Sequence, residues 1–311
     1  MRRIVEPLQL MGAQVMGRRN GSLAPLVIQG GSLYGIEYEL PVASAQVKSC
    51  IMLAGLSAAG DTVIHQPALS RDHTERMVSA MGAIVEENGL DLHVKPASLQ
   101  SVDIAVPGDI SSAAFWIVAG LCHPDSRVLV QGVGLNPSRT GLIDALQAMG
   151  AGNSLKLVNE RTEGGEPVAD LLVTHGDLHG TEIGGDIIPR LLDEIPILAV
   201  AACFASGETV IRDAAELRVK ESDRIATTVE ELSRLGADIK AREDGMVIRG
   251  TGKLTGAACQ SHGDHRLAMS LAVCGLLSDG DVEVHGAADA AVSYPSFWED
   301  LDLLAPGHAR G

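Results

Sequence analysis

The 311-residue sequence predicts an α/β protein built from repeated βαβαββ modules. The tripeptide Met-Gly-Ala or Leu-Gly-Ala occurs four times, at spacings of 70, 68 and 86 residues. Between these copies an apolar, small-residue segment recurs, each time followed by a Gly or Asp turn and a β-branched strand. The composition, with 35 glycines and 3% aromatic residues, suits close packing of regular units better than an irregular β-sandwich.

Each of the four tripeptides is predicted to end an amphipathic helix. The copies are Met11–Ala13, Met81–Ala83, Met149–Ala151 and Leu235–Ala237. A glycine just beyond a helix readily adopts the left-handed backbone conformation that stops the helix. The strand-like residues after each copy therefore begin a new element.

The recurrent apolar segments are predicted to be buried helices, because each begins with an N-cap residue, Ser or Asp. Their first residues are Ser44, Ser111, Asp193 and Asp264. Each module then consists of a buried helix, a strand, an amphipathic helix, a glycine cap and two strands.

Complete modules span about 44–110, 111–192 and 193–263, whereas 1–43 and 264–311 are partial. Residue 1 falls inside a module, where a folded domain rarely begins. We therefore expect this sequence to lack an N-terminal segment of about one and a half modules.

Charge and apolar content exclude several classes of protein. A formal net charge of -16 disfavours nucleic acid and anionic membranes as partners. The longest apolar runs are too short to span a bilayer, and no basic segment followed by an apolar stretch opens the sequence, so we do not expect an exported protein. Cys50, Cys122 and Cys203 lie in apolar stretches, as small buried residues do. We predict a soluble, cytoplasmic protein.

Basic residues near the predicted helix starts indicate an anion-binding site. The N–H groups and the dipole of a helix N-terminus attract anions. Arg71 follows Ser70 at one helix start, and Arg266 precedes the last buried helix. Lys220 and Arg224 are four residues apart, which predicts that they share one helix face.

Each of these segments also has a purely structural explanation. Ser and Asp are ordinary helix caps, and Asp72 with Glu75 can form a capping box. Glu216 can pair with Lys220 on a solvated surface.

No cofactor or metal is predicted. Residues 250–254 lack the Walker spacing, and Gly132 and Gly134 are not followed by the third glycine of a dinucleotide loop. The spacing of His262, Asp264 and His265 matches no H-E-x-x-H pattern, and the nearby Arg266 would oppose a cation. No G-x-S-x-G elbow is present.

Five segments stand in a recognisable order: Leu40–Ser49, Ser70–Glu75, Leu192–Pro196, Leu217–Arg224 and Asp264–Arg266. On these segments the chain closely resembles the 5-enolpyruvylshikimate-3-phosphate synthase family, over essentially its whole length. The Ser-Ala-Gln and Arg-Asp-His-Thr forms are similar to the glyphosate-tolerant branch of that family.

The resemblance implies two domains of βαβαββ units around a hinged cleft, the inside-out α/β barrel of the enolpyruvyl transferases. Residues 1–110 would form part of one domain and 111–311 the second. The implied reaction moves the enolpyruvyl group of phosphoenolpyruvate onto the 5-hydroxyl of shikimate 3-phosphate and releases phosphate, without a metal or organic cofactor. The partners would be these two small anionic substrates, and the protein a monomer.

The resemblance also implies substrate contacts. Those to shikimate 3-phosphate would come from Ser44, Ala45, Gln46, Arg71, Asp193 and Lys220. Gln46 would lie where the two substrates meet. Arg224 and Arg266 would clamp the phosphoenolpyruvate anion bidentately and fix its reacting carbon near the hydroxyl.

Two carboxylates are implied to be catalytic. Asp193 would take the proton of the attacking hydroxyl. Glu221 would protonate the methylene carbon and later remove a proton. His265 and Glu216 would be supporting residues, although Glu216 stands where some members have Asn.

The sequence departs from the family mainly at its start. The Lys-Ser segment, the Asn-Ala-Gly-Thr-type loop and the Arg before Arg-Pro-Met are absent, and Met1-Arg2-Arg3 resembles the end of that last motif. Residues 292–295 also carry no Lys where some members have one. Because part of the cationic clamp is missing, we expect little turnover from the 311-residue chain alone.

Three other interpretations compete with this one. One is a catalytically incompetent fragment, as the missing cations suggest. Another is UDP-N-acetylglucosamine 1-carboxyvinyltransferase, which shares the fold and the chemistry, but the Lys-Glu-Ser-Asp-Arg and Ser-Ala-Gln motifs speak against it. RNA 3′-phosphate cyclase, a third relative in fold, is disfavoured by the net charge of -16.

Overall fold

The structure of the protein is a computed structural model that describes residues 1–307. The chain divides into two compact units. Unit 1 comprises Met1–Val106 with Thr162–Glu166, and unit 2 comprises Pro107–Arg161 with the chain from Pro167 onward. Thr162–Glu166 groups with unit 1 because it contacts that unit: Glu166 accepts a hydrogen bond from His73 at 2.8 Å. The domain limits 1–110 and 111–311 stay a prediction.

Unit 1 contains four helices and eight strands. The helices are α1 Arg2–Leu10, α2 Arg18–Gly21, α3 Ala45–Gly55 and α4 His73–Ala80. The strands are β1 Gln14–Gly17, β2 Leu23–Gln29, β3 Leu33–Tyr34, β4 Glu37–Glu39, β5 Ala58–Ala59, β6 Thr62–His65, β7 Val85–Asn88 and β8 Asp91–Val94. Its core is one apolar cluster to which α3 contributes Val47, Ile51 and Met52.

Unit 2 holds six helices within the described residues. They are α5 Ile110–Cys122, α6 Gly141–Ala148, α7 Ile195–Phe204, α8 Arg224–Arg234, α9 His265–Leu277 and α10 Phe297–Leu304. Its longer strands are β9 Arg127–Gly134, β10 Leu155–Glu163, β11 Glu166–Thr174, β13 Gly207–Ile211, β14 Asp238–Arg242 and β15 Gly245–Gly250. The short strands are β12 Glu182–Ile183, β16 Leu254–Thr255, β17 Ala258–Gln260, β18 Ser278–Asp279 and β19 Glu283–His285.

One sheet topology recurs, which confirms the predicted βαβαββ module. The strand order is β4-β6-β8-β7 in unit 1 and β12-β13-β15-β14 in unit 2. In both sheets the first two strands are parallel and the others antiparallel. A third sheet, β10-β11-β9, has Gly108 bridged in parallel to Val133 in place of a first strand. A parallel pair joined through a helix is the βαβ unit.

The core of unit 2 is built on α5, α7 and α9, which pack against one another. These helices are apolar on every side, and nine consecutive residues of α7, Ile195–Cys203, are buried. A helix that is hydrophobic all round has no face for solvent and must lie inside the fold. The predicted buried helices are therefore confirmed in unit 2, whereas α3 of unit 1 buries only five of its 11 residues, because its other side chains are exposed or half-buried. No helix within residues 1–307 has the length and apolar character needed to cross a membrane.

The glycines of the four tripeptides end their helices as predicted. Gly12, Gly82, Gly150 and Gly236 all have positive φ, between 84° and 97°. The amide of each following alanine donates to a carbonyl five residues earlier, as from Ala13 to Leu8 and from Ala237 to Leu232. This is the bonding pattern of a Schellman C-cap, which needs the left-handed residue that glycine supplies.

Two of the four predicted helix starts are wrong by one or two residues. Ser44 and Asp264 cap α3 and α9, but α5 is capped by Asp109, which accepts from the Ser111 amide at 3.1 Å. Asp193 lies in a 3-10 turn, and α7 begins after it because Pro196 occupies the first helical turn. Asp193 therefore lies directly before the Glu194 N-cap of α7.

All five cysteines lie in the described part of the chain and carry free thiols. Cys122 and Cys203 are buried as predicted, whereas Cys50 is only half-buried. Burial raises the pKa of the Cys203 thiol to about 12. These thiols are therefore protonated and unreactive at neutral pH.

His65 joins three strands of unit 1 and makes its stability depend on pH. Its ring nitrogens lie 2.6 Å from Asp91 and 2.9 Å from Glu37, and these hydrogen bonds, Asp91 first, raise the pKa of His65 above 6.5. A raised folded pKa stabilises the protein fully below the unfolded value near 6.5, and this stability is lost as pH rises through the folded pKa.

We therefore expect His65→Gln to lower the thermal midpoint more at pH 6 than at pH 9. The unmodified protein, scanned at the same pH values, is the reference for each difference. Calorimetric scans across this range measure the effect. A His65→Gln difference that stays constant with pH would show that the imidazole is not charged in the folded protein.

Candidate active site

Arg224 of unit 2 brings together three carboxylates. It is the first residue of α8, and its side chain is only 2% exposed. Its guanidinium donates to Asp264 at 2.8 Å, to Glu221 at 2.7 Å and to Asp193 at 3.4 Å. A buried cation requires such partners because unpaired charge is very costly away from water. The two predicted catalytic carboxylates therefore contact the same arginine.

Lys220 lies beside this cluster, but it is not on α8 as the sequence predicted. The segment before it, Ala215–Val219, is a 3-10 turn, and α8 begins only at Arg224, capped by Asp223. The predicted shared helix face of Lys220 and Arg224 is therefore wrong, because the Asp223 cap starts the helix too late to include Lys220. Nζ of Lys220 instead lies 2.9 Å from Glu216 and 3.9 Å from Asp193.

Asp264, which the sequence suggested only as a helix cap, is a buried member of the site. It is 0% exposed and accepts hydrogen bonds from Arg224, from Ser222 at 3.0 Å and from the Arg266 amide at 2.9 Å. Burial alone would raise the pKa of Asp264, but the hydrogen bond and charge of Arg224 lower it overall. The sequence signal for this role was an acidic helix cap, Asp264, followed two residues later by Arg266.

Arg266, in the first turn of α9, is half-buried, and its guanidinium makes no hydrogen bond or ion pair with any of residues 1–307. The neighbouring His265 is buried, and burial followed by the charge of Arg266 lowers its pKa. His265 is therefore neutral at physiological pH, and Arg266 remains a cation able to bind an anionic ligand.

Glu194 lies beside Asp193 in a buried network that the sequence did not reveal. The Ser111 hydroxyl donates to Glu194, and Arg139 donates to Ser111 at 2.5 Å and to Asp109 at 3.1 Å. Burial raises the pKa of Glu194, although Ser111 and Arg139 act against this. The network connects the starts of α5 and α7, which holds the turn that carries Asp193.

The unit 1 candidates lie at the start of α3 and just before α4. Ser44 caps α3, and its hydroxyl lies 3.3 Å from the Gln46 side chain. Ala45 is the first helical residue, and Gln46 is exposed. Arg71 is half-buried in the segment that leads into α4. A hydroxyl, an amide and a guanidinium, which are groups that bind oxyanions, thus lie on these two segments.

The predicted Asp72–Glu75 capping box is wrong. Asp72 precedes α4 but its side chain makes no cap hydrogen bond, and it accepts instead from Arg76 at 2.9 Å. Glu75 is buried and pairs with Lys48 of α3 at 2.5 Å. The ion pair with Lys48 engages the Glu75 carboxylate, so a tertiary contact overrides the local motif.

One group within residues 1–307 has the spacing of a metal site: Glu230, Glu231 and His262. Arg234 already donates to Glu230 at 2.7 Å and lies 3.5 Å from Glu231. His262 also contacts Glu231 at 2.8 Å. The side chains of this group therefore already contact one another or Arg234, which argues against a metal ion there.

Known proteins share this sequence and fold. Residues 1–301 match the family described as EPSP synthase (3-phosphoshikimate 1-carboxyvinyltransferase). Relatives of that enzyme name from Brevibacillus brevis and Gloeobacter violaceus are 55% and 56% identical over 302 residues, covering 97% of this chain. EPSP synthase from Acinetobacter baumannii, solved at 2.37 Å, superposes with a TM-score of 0.92 at 44% identity over 98% of this chain.

The chain spans about 70% of the length of these relatives. The matched region includes all five segments on which the resemblance was based, and the strand topology agrees with the repeated units expected of the fold. On the sequence match and the structural likeness, the chain belongs to the EPSP synthase (3-phosphoshikimate 1-carboxyvinyltransferase) family.

Proposed function

We propose that this protein transfers the enolpyruvyl group of phosphoenolpyruvate to the 5-hydroxyl of shikimate 3-phosphate and releases phosphate. The observation that carries the proposal is the cluster around Arg224, where the guanidinium contacts Asp193 and Glu221. Anion binding and proton transfer both require such charged groups side by side. The names of the relatives support the same reaction.

Unit 1 would contact shikimate 3-phosphate through Ser44, Ala45, Gln46 and Arg71. A phosphate accepts hydrogen bonds from hydroxyl, amide and guanidinium groups, and a helix start adds a favourable dipole. Ser44 already lies at such a start, because it caps α3. Gln46 is exposed and so remains available to substrate.

In unit 2, Lys220 and Asp193 would contact shikimate 3-phosphate, and Arg224 and Arg266 would contact phosphoenolpyruvate. Arg224 already has three carboxylate partners, whereas Arg266 makes no ion pair within residues 1–307. Arg266 is therefore the cation most available for the phosphoenolpyruvate anion, and Arg224 mainly orients the carboxylates around it.

The proton transfers are assigned to the two carboxylates that contact Arg224. Asp193 would accept the proton of the attacking hydroxyl, because it lies at the start of α7 beside Lys220. Glu221 is largely exposed, so its carboxyl can reach a bound substrate and protonate the methylene carbon. His265 and Glu216 would act as supporting residues.

A binding titration followed by a turnover assay tests this function. Shikimate 3-phosphate should bind in calorimetry, and adding phosphoenolpyruvate should then release phosphate only slowly, because part of the cationic clamp is missing from these 311 residues. We expect Lys220→Met to weaken shikimate 3-phosphate binding by roughly 10- to 100-fold, the effect of losing a charged hydrogen bond. The control is Lys240→Met on β14, which should bind normally.

The outcome that would contradict the proposal is equally specific. If the unmodified protein does not bind shikimate 3-phosphate but does bind UDP-N-acetylglucosamine, the substrate assignment is wrong. If it binds neither, the chain does not carry the proposed activity.

We also propose that the protein is a cytoplasmic monomer. Its excess of acidic over basic side chains, 40 against 24, gives copies that repel one another. Sedimentation at several concentrations checks the assembly state, and a mass that doubles with concentration would contradict it.

A further inference from the structure

A buried ion pair in unit 1 connects the two segments that carry the proposed phosphate contacts. We infer that Lys48 and Glu75 are positioning residues for shikimate 3-phosphate, since they hold the α3 start at Ser44 and the segment at Arg71 in their binding positions. This inference rests on the proposed function. Neither residue has to touch the substrate in this role.

The contacts of Lys48 reach both segments. Its amide donates to the Ser44 carbonyl at 3.0 Å, one helical turn earlier. Its Nζ lies 2.5 Å from Glu75 and donates to the Ser70 carbonyl at 3.3 Å, directly before Arg71. Lys48 therefore connects the two segments: it lies one helical turn after Ser44, and its side chain bonds to the residue before Arg71.

A second contact supports the same alignment. The hydroxyls of Ser49 on α3 and Thr74 on α4 lie 2.6 Å apart. These residues are the chain neighbours of Lys48 and Glu75. Adjacent polar contacts fix both the separation of the two helices and their register, which apolar packing alone leaves less sharply defined.

Burying the Lys48–Glu75 ion pair in this core costs desolvation free energy. Lys48 is 1% exposed and Glu75 is 3% exposed, amid buried Val47, Ile51 and Val78. The second carboxylate oxygen of Glu75 is buried and has no hydrogen-bond partner within residues 1–307. Replacing such a pair with apolar side chains of similar volume is often neutral or stabilising. Stability alone therefore does not account for a charged pair here.

The double variant Lys48→Met/Glu75→Met separates positioning from stability. It keeps the volume of both side chains and leaves no unpaired charge. We expect its thermal midpoint to stay the same or rise, while its affinity for shikimate 3-phosphate falls by about 10- to 100-fold through displaced contacts. Amide exchange should become faster at residues 44–48 and 70–73 and should not change elsewhere.

The control is Lys95→Met/Glu86→Met, which removes an exposed ion pair, 2.7 Å apart, between β7 and the residue after β8 of the same unit. It should leave both exchange and shikimate 3-phosphate affinity unchanged. The single variants add a check, because Lys48→Met leaves a buried unpaired carboxylate and should destabilise strongly. If a single variant fails to fold, the double variant still decides the question.

A double variant with normal affinity and normal exchange would overturn the inference. If the unmodified protein does not bind shikimate 3-phosphate, the proposed function fails, and amide exchange decides the positioning role by itself. Faster exchange confined to the two segments then supports it, and unchanged exchange refutes it.

Discussion

Replacing Arg224 with methionine should destabilise the protein by about 3–5 kcal/mol, the usual cost of removing one partner of a buried ion pair. Asp264, which is 0% exposed, would lose its main cationic partner inside the core of unit 2. Urea unfolding of the full chain measures this loss. Turnover should disappear as well, because Asp193 and Glu221 would no longer share a common partner.

Two further variants separate the charge effect from the loss of packing. Arg249→Met removes an exposed arginine from β15 of the same unit and should leave the urea midpoint nearly unchanged. Adding Asp264→Asn to Arg224→Met removes the uncompensated charge but keeps an oxygen for the Arg266 amide, so part of the stability should return. If Arg224→Met unfolds at the same urea concentration as the unmodified protein, the cluster is not a buried charge network.

Replacing Arg266 with alanine should impair phosphoenolpyruvate use far more than shikimate 3-phosphate binding. Losing one side of a charge pair with a ligand typically costs about 2–5 kcal/mol, which is roughly 30-fold or more in affinity. Stability should change little, because Arg266 makes no ion pair within residues 1–307. Calorimetric titrations with each substrate, together with the KM for phosphoenolpyruvate, measure the difference.

Arg249→Ala is the matched control, since it removes an exposed arginine from β15 of the same unit. It should bind both substrates normally. Equal losses for both substrates in Arg266→Ala would mean that Arg266 is assigned to the wrong ligand.

The repeated fold could be predicted because its signals are local. A glycine after each amphipathic helix must adopt positive φ, and an all-apolar helix must be buried, whatever surrounds it. Gly12 and Gly236, more than 200 residues apart, obey the same rule. The resemblance then identified the residues to which function is assigned, because its motifs are short and continuous.

The errors occurred where a local motif competes with a distant partner. Asp72 and Glu75 have the spacing of a capping box, but Glu75 of α4 pairs with Lys48 of α3 instead. Lys220 and Arg224 have helical spacing, but the Asp223 cap starts α8 after Lys220. Neither outcome can be read from spacing, because each depends on which side chain offers the better partner.

By itself, the sequence determined the module, the helix ends, the family and the residues proposed to bind substrate. Only the tertiary structure decided that Arg224 is buried against Asp264, that Glu194 joins Ser111 and Arg139, and that the Lys48 charge lies inside unit 1. The physical reason is desolvation: a charge removed from water must find a partner in space, and that partner is usually far away along the chain.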